Sequence, residues 1–336
     1  MKAKTISKER LFELVDALIE EHEVIAPRDN LSFDRVDTSS QVQLDPHNTV
    51  KSPKEHFFAP CEALCSYKIE QGGVSITDGK PELDSPRILF AARPCDAASL
   101  PILDKLFAWD SQDIFYQKRR ENTTIISLAC DQPAETCFCT SVGGSPAGKE
   151  GTDILLAPLG DVYHVQVVSE RGAALVEMFS QFFEEAMEAH EQERQRLVEA
   201  WQSAVSKQVD TAGLQEALSF DAPTWEELTP QCVDCGACTF LCPTCHCFDI
   251  QDEGRRGEGE RVRLWDSCAF QDFTRMPHAQ PRPNHYRRYR QRLMHKFKYY
   301  PENFGKILCV GCGRCIEHCP VSIDITESLS KARIGR

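Results

Sequence analysis

Leu11, Leu14, Val15, Leu18 and Ile19 recur at helical spacing, with Ser7 placed to cap and Glu9 and Arg10 behind it, and predict a helix over 8–20. From about 50 to 168 the apolar runs shorten and become β-branched: Ile88–Ala92, Thr123–Leu128, Asp153–Leu156 and Val162–Val168, bounded by Gly, Pro and Asp. They predict a mixed α/β domain with a tight hairpin at Gly160-Asp161 and a helix over 97–107 behind the Ile88 strand. Strand order is not legible. Over 169–209, Leu175, Val176, Phe179, Phe182, Leu197, Trp201 and Val205 sit among Glu, Gln and Arg, with neither Pro nor Gly after Gly172. This predicts one long helix or two, its aromatic stripe a core face, and a domain boundary near 169.

Composition changes this picture at one point. With 41% hydrophobic and 26% charged residues the chain is ordinary globular protein, and its net charge of −13 repels polyphosphate and anionic lipid. Nucleic acid is therefore excluded as a partner. No apolar run is long enough for a membrane span and the N-terminus lacks an apolar signal core, so no membrane insertion and a cytoplasmic location are expected. The outlier is 17 cysteines. An odd number crowded into a few stretches of a cytoplasmic chain implies metal, not disulfides.

Cys232-Val-Asp-Cys235-Gly-Ala-Cys238-Thr-Phe-Leu-Cys242-Pro243 is echoed by Cys309-Val-Gly-Cys312-Gly-Arg-Cys315-Ile-Glu-His-Cys319-Pro320. Each copy is the bacterial ferredoxin run, in which three close thiolates serve one cube and the fourth serves the other. The expected ligand sets are thus Cys232, Cys235, Cys238 and Cys319 for one [4Fe-4S] cluster, and Cys309, Cys312, Cys315 and Cys242 for the second. Gly236, Gly311 and Gly313 would let the backbone turn tightly around the sulfurs. Zinc also takes four thiolates, but its ribbons use two separated pairs, whereas here four cysteines fall within eleven residues, twice. The 66 residues between Cys242 and Cys309, with a helical pattern over 286–298, favour a helical two-cluster ferredoxin over the compact hairpin type. The predicted fold class is α+β: a mixed α/β domain over 1–168, a helical connector over 169–218, and a helical two-cluster ferredoxin domain over 219–336.

Cys95 in Arg93-Pro-Cys-Asp96, with Cys130, Cys137 and Cys139, supplies thiolates for a third [4Fe-4S] cluster in the N-terminal domain, Asp96 being a substitute ligand if Cys95 points away. Cys245, Cys247 and Cys268 could hold that centre instead, or pack beside the ferredoxin clusters. Cys61 and Cys65, at i, i+4, read as packing residues. His246, His285, His295 and His318 read as solvated or as donors to the ligand shell. The basic, aromatic stretch 278–300 suits a solvated helix, compensation of cluster charge or docking of an acidic partner. Gly143–Glu150 satisfies G-x4-G-K, but Glu150 stands where a magnesium-binding hydroxyl belongs, and no G-x-G-x-x-G follows a strand, so no nucleotide site is expected.

Arg93-Pro-Cys-Asp, Cys137-Phe-Cys, Cys242-Pro-Thr-Cys-His-Cys-Phe-Asp, Trp265-Asp-Ser-Cys, His295-Lys-Phe and Cys309-Val-Gly-Cys-Gly-Arg-Cys together resemble the family that holds the iron–sulfur subunit of anaerobic sulfite reductase and the beta subunit of cytosolic nickel–iron (sulf)hydrogenases. The resemblance runs from about 50 to 325; Cys61 and Cys65 stand outside its pattern. It implies an iron–sulfur, 4Fe-4S dicluster subunit that passes electrons between a flavoprotein NAD(P)H-binding subunit and the catalytic redox subunit of a hydrogenase, sulfite reductase or heterodisulfide reductase type of complex. No catalytic constellation is expected on such a chain. The rival expectation is a self-contained reductase with substrate at an open iron of the N-terminal cluster.

Overall fold

The computed structural model describes residues 3–44, 47–81, 83 and 85–334. In chain order the strands are β1 (Lys4–Ser7), β2 (Glu23–Pro27), β3 (Phe33–Arg35), β4 (Cys61–Glu70), β5 (Gly73–Asp78), β6 (Arg87–Ala92), β7 (Thr123–Leu128), β8 (Ile154–Leu159), β9 (Val162–Val167), β10 (Glu184–Glu185), β11 (Phe248–Arg255) and β12 (Glu258–Trp265). The first five helices are α1 (Lys8–Glu21), α2 (Pro94–Phe107), α3 (Ile114–Glu121), α4 (Glu170–Met178) and α5 (Glu188–Ala204). Helices and sheets are mixed, as α+β requires.

Eight strands form one sheet in the order β10-β1-β9-β8-β7-β6-β2-β3, in which β2, β6, β7 and β8 run parallel. Side chains alternate across β6: Ile88 and Phe90 meet Leu11, Val15 and Leu18 of α1 and Leu175 of α4, while Leu89 meets Leu100 and Leu103 of α2 and Tyr116 of α3. All six residues of β6 are buried, as expected of a strand covered on both faces. Ser7 caps α1, its Oγ accepting from Arg10 N at 3.2 Å, and Gly160 turns the β8–β9 hairpin at φ 75°.

Residues 169–204 form two helices, and they pack on the sheet instead of bridging domains. Val176 and Phe179 join the core over β6, β10 pairs with β1, and Trp201 of α5 covers Ala129, Leu155 and Ala157.

A second sheet has no counterpart in the sequence pattern. The hairpin β4–β5 pairs with the hairpin β11–β12 in the order β11-β12-β4-β5, so Cys61 stands opposite Leu264 and Cys65 opposite Arg261. Cys61 and Cys65 therefore lie on a strand. The segment between the ferredoxin motifs is likewise not only helical: it holds β11–β12, then the helix His285–Met294, which continues through a π turn (His295–Tyr299) into Tyr300–Phe304. Tyr289, Leu293 and Phe297 of this run pack against Leu218, Trp225 and Leu329.

Candidate metal centres

The N-terminal thiols stand at the carboxyl ends of the parallel strands. Near the end of β6 a bulge places Ala91 at φ 58°, and Arg93-Pro94 opens α2 with Cys95 in its first turn. Cys130 follows β7, and the next loop carries Cys137 and Cys139. Cys130, Cys137 and Cys139 are electrostatic neighbours, and Cys95 is a neighbour of Cys137. Cys95 and Cys139 line one cavity, roofed by Gly143–Ser145 and Gly148–Glu150. The G-x4-G-K segment is thus a loop over thiols.

Asp96 does not join them. Arg314 Nη1 donates to Asp96 Oδ1 at 2.6 Å and Nη2 to Oδ2 at 3.0 Å, both side chains being fully buried. With both oxygens held in a bidentate pair, the carboxylate is not available as the substitute iron ligand expected from sequence.

The same pair locks the N-terminal domain to the second ferredoxin motif. Phe138 N donates to Gly311 O at 2.9 Å, and Asn48 Nδ2 to Cys312 O at 3.2 Å. Gly311, at φ 64°, lies so close that a Cβ there would stand 2.6 Å from Cys139 Cα. Cys309 lines the cavity shared by Cys95 and Cys139.

The two ferredoxin motifs meet in space. Cys232, Cys235 and Cys238 line one cavity together with Cys319 of the second motif, and Cys315 reaches it too. Cys309 and Cys312 have Cys242 and Cys315 as electrostatic neighbours. Backbone amides face the sulfurs: Ile323 N lies 3.2 Å from Cys319 Sγ and Gly311 N 3.4 Å from Cys309 Sγ. Gly236 and Gly313 adopt φ 74° and 77°.

Burial pushes the Cys137 thiol up to about 12 and those of Cys139, Cys238 and Cys309 up to about 11, with neighbouring thiols adding to the effect. A metal bound by these sulfurs would have to displace their protons. Cys242 goes the other way, pulled down by contact with Cys245 and by the cations of Lys296 and Arg292.

Arg288, Arg292 and Lys296 fall at i, i+4, i+8 on the inner face of their helical run, and all three are buried. Arg288 pairs with Asp234 at 2.5 Å. Arg292 Nη2 donates to Cys238 O at 3.1 Å, and Lys296 Nζ lies 3.3 Å from Cys242 Sγ. A buried cation without a counter-charge is costly, and clusters held by thiolates are anionic, so the donor set and its surroundings fit [4Fe-4S] clusters. Of the three roles open to this stretch, compensation of cluster charge is the one its inner face fits. Arg290 turns outward onto the Phe220 ring, 3.6 Å from its centroid. His246 and His295, both half-buried, meet ring to ring at 5.2 Å, and desolvation lowers them to about 3 and about 4, so both are neutral. Among the described residues no His, Cys, Asp or Glu triplet converges to hold a single ion.

Residues 231–323 match a 4Fe-4S dicluster domain. Over 307 residues the chain is 33% identical to sulfhydrogenase 2 subunit beta of Pyrococcus furiosus, covering 90% of this chain and 89% of that protein. The chain belongs to the (sulf)hydrogenase beta-subunit family. It is an iron–sulfur electron-transfer subunit with [4Fe-4S] clusters, and it works with partner subunits. With 90% of the chain covered, the similarity reaches into the N-terminal sheet as well as the dicluster domain. No helix of the described residues is long and apolar enough to cross a membrane.

Sequence reasoning missed Lys54, which lies behind Cys245 and Cys247 with its ammonium 4.0 Å from the Trp265 ring centroid. Burial pulls Lys54 down against the opposing effect of those thiols. Nothing near Lys54 in sequence signals this.

Proposed function

We propose that the chain is a three-cluster relay. Cys232, Cys235, Cys238 and Cys319 hold the first cluster, Cys309, Cys312, Cys315 and Cys242 the second, and Cys95, Cys130, Cys137 and Cys139 the third. Such clusters supply one-electron transfer at potentials set by charge, hydrogen bonds and exposure. The observation that carries this reading is the shared cavity of Cys232, Cys235, Cys238 and Cys319, the crossing that a two-cluster ferredoxin needs.

Two contacts support an order for the centres. Phe138 and Cys139 lie against Gly311, which favours a third centre beside the second, and Cys315 lines the cavity of the first. Cys235 is exposed, so the first centre lies nearest the surface and suits exchange with a partner. The donor or acceptor there is a flavin- and NAD(P)H-binding subunit, and the opposite end serves a catalytic redox subunit of hydrogenase, sulfite reductase or heterodisulfide reductase type. The name of the Pyrococcus relative supports the hydrogenase case. A complex of this kind operates in the cytoplasm, where free thiols persist. A self-contained reductase needs an iron open to substrate; four thiols around the third centre and the commitment of Asp96 to Arg314 argue against it.

The test is Cys319→Ser. It should alter the EPR signal of the cluster held by Cys232, Cys235 and Cys238, although it lies in the other motif; a change confined to the cluster of Cys309, Cys312 and Cys315 sinks the crossing. The isolated chain should not oxidise NAD(P)H, and should take electrons from it once the flavoprotein subunit is added.

A further inference from the structure

Buried cations elsewhere in the molecule meet carboxylates: Arg87 pairs with Glu23, Arg263 with Glu62 and Asp113, Arg288 with Asp234, and Arg314 with Asp96. Three break this rule. Arg292, Lys296 and Lys54, each 4% exposed or less, meet no carboxylate among the described residues. Arg292 faces the cavity of the first cluster and Lys296 touches Cys242 of the second. Lys54 touches no ferredoxin sulfur: its Nζ donates to Cys245 O at 3.0 Å and Thr239 O at 3.5 Å and lies over the Trp265 ring, and the thiols before it are Cys245 first, then Cys242 and Cys247.

Cys245 and Cys247 belong to a further group. The β11–β12 hairpin pairs Phe248 with Trp265, and Asp266 N donates to Cys247 O at 3.0 Å. That register pinches the hairpin base and brings Cys247 against Cys268, whose thiols are in contact. Cys245, two residues before Cys247, is an electrostatic neighbour of Cys268. Cys245 and Cys268 are buried.

We propose that Cys245, Cys247 and Cys268 hold a fourth iron–sulfur cluster, whose fourth iron carries no cysteine and whose negative charge is balanced by Lys54. Three thiols with no histidine among them are a soft, all-sulfur donor set, which suits iron–sulfur chemistry. Cys245 contacts Cys242, and Cys268 neighbours Cys238, so the centre lies beside both ferredoxin clusters. It is a branch off the relay, under the hairpin sheet.

The experiment counts iron and acid-labile sulfide on the full-length chain, reconstituted without oxygen. The wild type should hold about sixteen irons by the cubane stoichiometry, and Cys247→Ser/Cys268→Ser about twelve, with one EPR component gone and the ferredoxin signals retained. A folded double variant that keeps the wild-type iron and every EPR component overturns the proposal. Cys137→Ser/Cys139→Ser, measured in parallel, should remove a different component; if it removes none, the third cluster proposed above fails while the fourth stands. Should the Cys247/Cys268 variant not fold, Lys54→Met leaves every thiol in place. Loss of that cation should move, without loss of iron, the midpoint of a centre other than the two ferredoxin clusters to more negative potential; unmoved midpoints, or a shift confined to the ferredoxin clusters, overturn the proposal.

Discussion

Around the large sheet, Val15, Leu18, Val24, Ala26, Ile88 and Val165 are all completely buried in a continuous apolar core. From Thr229 to Cys247 the chain buries thiols, threonines, Gly236 and Pro243, and not one Val, Leu, Ile or Phe. The first region is stabilised as most domains are, by removing apolar surface from water. The second has no such core of its own and leans on Trp225, Tyr289, Leu293 and Phe297 around it. Clusters bound by its thiolates would supply the bonds that hold it in shape. One chain would then combine a scaffold that folds by burial with loops whose structure and redox chemistry depend on the same bonds.

Stripping the iron should break this comparison open most forcefully. With chelator and oxidant, hydrogen-exchange protection over 229–247 and 307–323 should collapse, while β6, β7 and β8 stay protected; equal loss in both regions would show that the sheet also depends on metal. Next in size is Asp96→Asn, which leaves Arg314 buried with one carboxylate charge removed. It should cost about 3–5 kcal/mol in denaturant unfolding and leave iron content unchanged, since Asp96 is bound to a guanidinium and not to iron. A fall of about four irons would restore Asp96 as a ligand. The smallest effect separates two glycines of similar backbone. Gly311→Ala meets Cys139 Cα at 2.6 Å and should cost roughly 2–4 kcal/mol, whereas Gly305→Ala, at φ 69° with nothing within 4 Å, should cost only about 1 kcal/mol. Unfolding midpoints of the two variants give the difference directly.

What the sequence makes legible follows the range of each interaction. The cap at Ser7, the turn at Gly160 and the two cysteine motifs are local, and local chemistry is written in adjacent residues. Asp96 looks like a ligand because Cys95 is its neighbour in sequence, while Arg314, its partner in space, is 218 residues away. The second sheet hides for a different reason. Every residue of β5 and β11 is exposed, so neither strand shows the apolar alternation that betrays a half-buried strand. Basic residues over 278–300 show only their charge; that Arg292 and Lys296 turn inward becomes visible once the helix is placed against the thiols.

The pairing of β4 with β12 also bears on how the chain can be cut and how it matures. Lys68 stands opposite Glu258 and Cys61 opposite Leu264, a ladder that closes across nearly two hundred residues of chain. Until the second hairpin is synthesised, β4 offers a free edge of unpaired amides and carbonyls, with Ile69, Val74 and Ile76 exposed beside it. Open edges of that kind recruit other strands. A nascent or truncated chain lacking residues 248–265 is therefore expected to self-associate through β4, and soluble N-terminal fragments should be obtained by deleting β4 and β5 together with the C-terminal third.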